Sequence, residues 1–140
     1  PAIVEQRITV KFINGIEVTG QIDVLDEDGV LIDHKTSSRT PTGASISNIL
    51  QETGYSILGK AAGFDIRDRR IDCLVFGLQP EIKHFRVEID VNYFMNMLGV
   101  ITKAIEAGAF IPNRGSMFCT KRFCKFYNEC EKKYGGKVRA

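Results

Sequence analysis

The stretch Gly20–Ser38, GQIDVLDEDGVLIDHKTSS, decides the fold of this chain. Within it, Asp26–Gly29 has the acidic, glycine-ended composition of a tight turn. The apolar-rich segments on either side of the turn therefore predict two antiparallel strands. On the second strand, Asp33 and Lys35 lie two residues apart and so point to one face of the sheet. Pairing through the turn places Asp23 opposite Asp33, give or take one residue.

Two carboxylates this close predict a cation site. They repel each other, and one tends to stay protonated unless a cation holds both ionised. Oxygen ligands with open water positions suit Mg²⁺ or Mn²⁺. The side chain of His34 faces the other way, which leaves its backbone carbonyl as an extra ligand. Lys35 would then lie near a reacting phosphate and offset its developing charge. An isolated Asp33–Lys35 salt bridge at a strand edge is the competing interpretation.

The rest of the chain predicts a mixed α/β layer arrangement. The predicted strands are 7–12, 16–24, 30–35, 70–78 and 83–89, and the first three form an antiparallel meander. The predicted helices are 44–62 and 90–107, and Asp90 is expected to cap the second one. The apolar stripes expected to face inward are Ile46, Ile49, Leu50, Ile57, Leu58 and Ala61 on the first helix, and Phe94, Leu98, Ile101 and Ile105 on the second. The dipeptide Asn14-Gly15 is a strong hairpin signal between the first two strands. Gly20 predicts a bend or a close backbone approach. Residues 109–130 are expected to be irregular, and the last ten to be mobile.

The residues around the turn resemble the core of the PD-(D/E)XK nucleases, and more narrowly the RecB-type branch. That branch includes phage-related exonucleases and CRISPR-associated RecB-like nucleases. Its pattern is Gly-x-Ile-Asp, a turn, Ile-Asp-x-Lys-Thr, and then Gln-x-x-x-Tyr on the following helix. Gln51 and Tyr55 match the last part and share a helix face. The resemblance covers about Gly20 to Cys130. It implies an α+β restriction-endonuclease-like core, with a mixed, mostly antiparallel sheet flanked by helices.

The resemblance also implies roles for six residues, which are Asp23, Asp33, His34, Lys35, Gln51 and Tyr55. The two aspartates and the carbonyl of the histidine bind Mg²⁺ or Mn²⁺, and the lysine is catalytic. The glutamine and tyrosine position the strand. The implied activity is hydrolysis of DNA, as an exonuclease more than an endonuclease, in recombination, repair, phage replication or CRISPR-related processing. A helicase or a single-strand annealing protein is an implied partner, in the cytoplasm of a bacterial, archaeal or phage-infected cell.

Three of the four cysteines lie in the tail, at Cys119, Cys124 and Cys130. Their clustering, without a secretion signal, favours metal ligation over disulfides. In the RecB-type branch such a tail joins one upstream cysteine to hold a structural [4Fe–4S] cluster, and the fourth ligand is expected before Pro1. A Cys₃His zinc site with His84 or His34 is the alternative, and three free thiols are another. Cys73, in an apolar strand, is predicted to be a buried free thiol.

The charge distribution points to a polyanionic partner. Residues 114–140 hold eight Lys/Arg and two acids, whereas residues 1–113 hold eleven and fifteen, although the whole chain is only +2. We expect residues 1–113 to form the core and residues 114–140 a basic tail of the same domain. A non-catalytic nucleic-acid-binding or scaffolding domain, or a small zinc-binding interaction module, would carry a similar tail. No apolar run is long enough to span a bilayer, so no membrane partner is expected.

Overall fold

The computed structural model describes residues 3–12, 15–76 and 79–135. Its elements in chain order are β1 (Ile3–Lys11), β2 (Glu17–Leu25), β3 (Val30–Ser37), α1 (Ile46–Ala61), β4 (Asp68–Val75), β5 (Glu81–Arg86), α2 (Val91–Glu106) and α3 (Tyr127–Tyr134). The chain divides into two compact units, Pro1–Val100 and Ile101–Ala140, and each is described by itself. Asn14 of the predicted hairpin, residues 77–78 of the predicted fourth strand and residues 136–140 lie outside the described part.

The five strands form one sheet in the order β1-β2-β3-β4-β5. The first three strands pair antiparallel, as the predicted meander requires. The next strand, β4, pairs parallel with β3, and α1 is the crossover between them. The last strand, β5, returns antiparallel to β4. The predicted mixed, mostly antiparallel sheet is confirmed.

The turn between β2 and β3 is stabilised by the side chain of its first residue, Asp26. Asp26 accepts hydrogen bonds through Oδ1 from the backbone N–H groups of Asp28 (3.0 Å) and Val30 (2.7 Å). Gly29 has a φ of 79°, and a Cβ there would lie 2.7 Å from the carbonyl oxygen of Asp65. Only glycine therefore fits this turn, since both the backbone conformation and the neighbouring carbonyl exclude a side chain.

Helix α1 packs against β1, β2 and β3 and begins at the N-cap Ser45, whose side chain accepts from the N–H of Asn48 at 3.3 Å. The core beneath it consists of Ile8, Ile22, Leu25, Leu31, Leu58 and Ile66. Gly20 lets the helix approach β2, because a Cβ there would lie 2.9 Å from Leu58 Cδ1 and 3.0 Å from Tyr55 Cε1. The predicted close backbone approach at Gly20 is confirmed.

The buried side of α1 differs from the predicted apolar stripe. That stripe was expected at Ile46, Ile49, Leu50, Ile57, Leu58 and Ala61. In the structure Leu58 is buried as expected, Ile49, Leu50 and Ile57 are only half-buried, Ala61 is exposed, and the side chain of Ile46 lies outside the described part. The polar residues Glu52, Thr53 and Ser56 are also almost completely buried. The buried side of the helix therefore includes a polar stripe that the apolar pattern did not indicate.

Helix α2 is capped as predicted, with Asp90 Oδ1 accepting from the N–H of Tyr93 at 2.8 Å. Its Phe94 ring lies over Gly54 of α1, where a Cβ would be 3.1 Å from the ring. The predicted inward stripe is wrong for Ile101 and Ile105, which are 45% and 57% exposed. No residue of α2, all of which is described, is fully buried.

The second unit contains α3, which was not predicted. Residues 109–126 are turns and irregular segments, as expected, but Tyr127–Tyr134 is helical and its first residue is buried. The expectation of irregular structure up to residue 130 is therefore wrong for residues 127–130, while the expected mobility of the last ten residues stays a prediction. Lys133 lies 5.2 Å from the centre of the Tyr134 ring, a cation–π contact on its last turn. Within the described ranges, no helix is long and apolar enough to cross a lipid bilayer.

Candidate active site

Four predicted side chains form one hydrogen-bonded network across β3 and α1. Lys35 Nζ donates to Asp33 Oδ1 (3.0 Å) and to Gln51 Oε1 (2.9 Å). Gln51 Nε2 donates to the same Asp33 oxygen (2.9 Å) and to the hydroxyl of Tyr55 (3.0 Å). The amide of Gln51 thus accepts a hydrogen bond from the Lys35 ammonium and donates to the oxygens of Asp33 and Tyr55. These three bonds fix the orientation of the amide.

The Asp33 carboxylate is buried at the base of this network, with 2% exposure. Burial raises the pKa of Asp33 above its usual range, and this effect exceeds the lowering by the Lys35 ammonium. Lys35 Nζ also lies 2.8 Å from Oδ2, but this contact lacks hydrogen-bond geometry. One oxygen of Asp33 is therefore paired by charge alone and keeps acceptor capacity.

Asp23 lies beside this network, where the pairing of β2 with β3 ends. The ladder runs through Leu25–Leu31 and Val24–Ile32, and one further step would bring Asp23 opposite Asp33. Instead, Asp23 Oδ2 accepts a hydrogen bond from the backbone N–H of His34 at 2.9 Å. The side chain of His34 is exposed, as expected for the opposite face. The role of its carbonyl as a ligand stays a prediction.

Strand β1, which pairs with β2, is distorted at the position opposite Asp23. The pairing of β1 with β2 includes Val4–Val24 and Gln6–Ile22 but omits Glu5–Asp23. Glu5 has a φ of 50°, the only positive φ of a non-glycine residue among those the structure describes. Backbone strain of this kind persists where the surrounding structure enforces it, and here it flanks a predicted ligand.

Glu52 is a member of this region that the sequence analysis missed. It follows Gln51 on α1, is 1% exposed, and neither of its carboxylate oxygens has a hydrogen-bond partner. Burial, and next the negative charge of Asp33, raise the pKa of Glu52 to about 8. The sequence did hold one indication of this burial. Glu52 precedes the small residues Thr53, Gly54 and Ser56, and small residues indicate a closely packed helix face.

A cavity of about 290 Å³ opens beside Lys35, between the N-terminus of α1 and strands β4 and β5. The polar residues that line it include Ser37, Ser45 and Asn48, and the apolar ones include Ile71, Cys73 and Phe85. Cys73 is a buried free thiol, as predicted. A cavity lined by both polar and apolar side chains suits a ligand with a charged part and an apolar part.

The carboxylates in this region fit a hard divalent cation. Asp23 and Asp33 supply oxygen donors, and one Asp33 oxygen has no hydrogen bond. In proteins Mg²⁺ is bound through one or two carboxylates and keeps several waters. No three His, Cys, Asp or Glu among the described residues are placed to ligate a metal together, so an all-protein cage is not formed. Mg²⁺ or Mn²⁺ at this pair stays a prediction.

The tail cysteines do not complete a ligand set. All three are half-buried and free, and no group of three metal-ligating side chains occurs in the described part of the chain. Of the two histidines considered for zinc, His84 places Nδ1 2.6 Å from Asp72 Oδ1, which occupies that nitrogen. The [4Fe–4S] cluster and the zinc alternative therefore stay predictions, and no chemistry is derived from either.

Two solved structures share the fold of this chain. One, from Eubacterium rectale, is named "Putative exonuclease"; its TM-score is 0.60 at 12% identity, covering 91% of this chain and 51% of that one. The other is SSO0001, with a TM-score of 0.57 at 14% identity, covering 91% and 59%. No family model and no curated protein matches the sequence. The chain thus spans between half and three-fifths of the length of these two structures, and the likeness confirms the predicted α+β fold.

Proposed function

We propose that this chain carries the catalytic site of a metal-dependent DNA nuclease, an exonuclease of the RecB-like kind. The observation that supports it best is the network of Lys35 with Asp33 and Gln51, beside the carboxylate of Asp23. A buried acid, an ammonium and a second acid on one strand hairpin are the groups that phosphodiester hydrolysis needs. The fold shared with a structure named an exonuclease adds support.

In this proposal Asp23 and Asp33 hold Mg²⁺ or Mn²⁺. When bound, the cation supplies positive charge at the phosphate and makes a coordinated water more acidic. Lys35 is half-exposed, with 33% of its side chain accessible, so its ammonium can reach a phosphate oxygen while staying fixed by Gln51. It would stabilise the additional negative charge that develops on the phosphate during attack.

Gln51 and Tyr55 would orient the reacting strand. The Tyr55 hydroxyl accepts a hydrogen bond from Gln51, so its own proton remains available to a phosphate oxygen. The cavity beside Lys35 would accept the neighbouring nucleotide, with its sugar and phosphate near the lining residues Ser45 and Asn48 and its base against Phe85. The basic residues of the tail would attract the DNA backbone over a longer range.

The direct test is cleavage of end-labelled single- and double-stranded DNA in Mg²⁺ or Mn²⁺. Lys35→Ala is expected to lower the cleavage rate by about a hundredfold or more, as removal of a charge-stabilising group does. Lys83→Ala is the matched control, because that lysine is paired with Glu81 on β5. Cleavage by the Lys35 variant at the wild-type rate would show that the proposed mechanism is wrong.

A non-catalytic nucleic-acid-binding domain is the second candidate. It is favoured by the contact of Lys35 with both oxygens of Asp33, which neutralises the carboxylate without a cation. Titration with Mn²⁺ separates the two functions. Binding that is lost in Asp33→Asn supports the nuclease, whereas DNA binding without any Mn²⁺ binding supports the scaffold.

A further inference from the structure

We propose that Glu52 is a third acidic member of the cation site, and that it acts on the water shell of the cation instead of ligating it directly. This inference rests on the nuclease function proposed above. It adds a residue that lies outside the Gln-x-x-x-Tyr pattern and outside the pair formed by Asp23 and Asp33.

The fold forms no hydrogen bond with the carboxylate of Glu52 among the described residues. Glu52 is 1% exposed, and both its oxygens lack a hydrogen-bond partner. A buried polar group without partners destabilises a folded protein, and a buried carboxylate does so more strongly. An apolar residue of similar size would pack at this position at lower cost, so the carboxylate is expected to serve a ligand.

Side-chain donors on the residue after Glu52, and on residues that act on it by charge, bond to other acceptors. Thr53 Oγ1 donates to the carbonyl of Ile49 at 2.7 Å, and Arg69 Nε donates to Ser56 Oγ at 3.1 Å. The ammonium of Lys35 is hydrogen-bonded to Asp33 and Gln51. Among the described residues no donor bonds to either Glu52 oxygen, so both oxygens remain available to a ligand.

The charges around Glu52 include those of the proposed ligands. The charged groups that act on it are Asp33, Lys35, Asp23 and Arg69, from β3, β2 and β4. The two aspartates now repel an ionised Glu52, whereas a cation held by them would attract it.

Glu52 would act on the waters of the cation and would not ligate the cation itself. No three acidic, His or Cys side chains of the described residues are placed to ligate a metal together. Mg²⁺ usually keeps several of its waters when two carboxylates hold it, and each water donates hydrogen bonds outward. Glu52 offers two free acceptor oxygens to such waters, which explains why they are unpartnered in the protein alone.

The experiment measures Mn²⁺ affinity by calorimetry and by the paramagnetic resonance signal of free Mn²⁺, without DNA. Glu52→Gln is expected to weaken Mn²⁺ binding by about tenfold, the lower end of the effect for outer-shell partners. Glu88→Gln is the matched control, because it removes the same charge at an exposed position and should change the affinity by less than about twofold. Asp33→Asn is expected to abolish binding.

A second readout is thermal unfolding without divalent cations. Glu52→Gln and Glu52→Leu are expected to be at least as stable as the wild type, because no hydrogen bond is lost. Destabilisation of both variants would indicate a structural role and overturn the inference. Wild-type Mn²⁺ affinity in Glu52→Gln, with binding lost in Asp33→Asn, would overturn it too, while the proposed function would stand. Wild-type affinity in Asp33→Asn would overturn both.

Discussion

Gln51 Oε1 accepts a hydrogen bond from Lys35 Nζ at 2.9 Å, while the same amide donates to Asp33 at 2.9 Å. One residue of α1 therefore fixes both the ammonium and the carboxylate that β3 carries. The helix α1 is also the crossover between β3 and the parallel strand β4. The parallel crossover places α1 over β3, so the strand motif and the helix motif meet. The geometry of the site depends on this bridge as much as on the charged residues.

Replacement of the bridging amide tests this dependence. Gln51→Leu keeps a side chain of similar size but removes all three hydrogen bonds of the amide, to Lys35, Asp33 and Tyr55, so Lys35 loses its fixed orientation. We expect the rate of DNA cleavage to fall by about 10- to 100-fold, mainly in kcat, because positioning is lost and charge is not. Gln6→Leu is the control, since Gln6 is exposed on β1 and its side-chain amide donates to the adjacent carbonyl of Arg7, away from the candidate site. Equal rates for both variants would contradict the positioning role.

The Tyr55 hydroxyl can be removed without disturbing its ring. Tyr55→Phe keeps the contact with Gly20 and loses the hydrogen bond from Gln51. We expect the free energy of unfolding to fall by about 1 kcal/mol and cleavage to slow by about tenfold. Tyr93→Phe, at a 54% exposed position, should leave both unchanged. A cleavage rate unaffected by Tyr55→Phe would mean that the hydroxyl does not contact the substrate.

Replacing two glycines by alanine should change the stability of the chain in opposite directions, because one glycine packs closely against α1 and the other has free space around it. At Gly20 a Cβ would lie 2.9 Å from Leu58 and 3.0 Å from Tyr55, so Gly20→Ala should destabilise the chain by about 1–3 kcal/mol. At Gly99, inside α2, a Cβ meets nothing within 4 Å, so Gly99→Ala should stabilise by about 0.5–1 kcal/mol. Denaturant unfolding compares them, and a stable Gly20→Ala variant would contradict the close approach.

Much of this arrangement was predictable from local sequence. The turn at Asp26–Gly29 and the alternating strands are set by interactions within a few residues, as the Asp26 hydrogen bonds show. The spacing of Gln51 and Tyr55 also has a local reason, since residues four apart share a helix face. Gly20 indicated a close approach, and only the fold identified Tyr55 and Leu58 as the residues that need it.

The missed features depend on packing between distant segments. Glu52 is buried because of the side of α1 that packs against the rest of the fold, and the apolar pattern of the helix indicated a different side. Helix α3 is short and rich in charges, so neither propensity nor an apolar stripe distinguishes it from a loop. In α2, Ile101 and Ile105 have helical spacing but are exposed, because spacing alone does not supply a surface to pack against.

The protonation of Glu52 makes the stability of the chain depend on pH. Its pKa is about 8 in the fold against 4.5 for the free side chain, mainly because of burial. Between these values the folded state binds more protons than the unfolded state, so the free energy of unfolding falls as pH rises. The stabilising contribution is complete below about pH 4.5 and is lost as pH rises through about 8.

Glu52→Gln should remove this part of the pH dependence. Without divalent cations, we expect the wild type to lose a few kcal/mol of unfolding free energy between pH 5 and pH 8 from this group, of the order of 1.4 kcal/mol for each unit of pKa shift. The variant should show a much smaller slope, because the amide stays neutral at every pH. Glu88→Gln, at an exposed position, should retain the wild-type slope. Urea unfolding at several pH values measures all three, and parallel curves for the wild type and Glu52→Gln would show that Glu52 is ionised throughout and that burial does not control its charge.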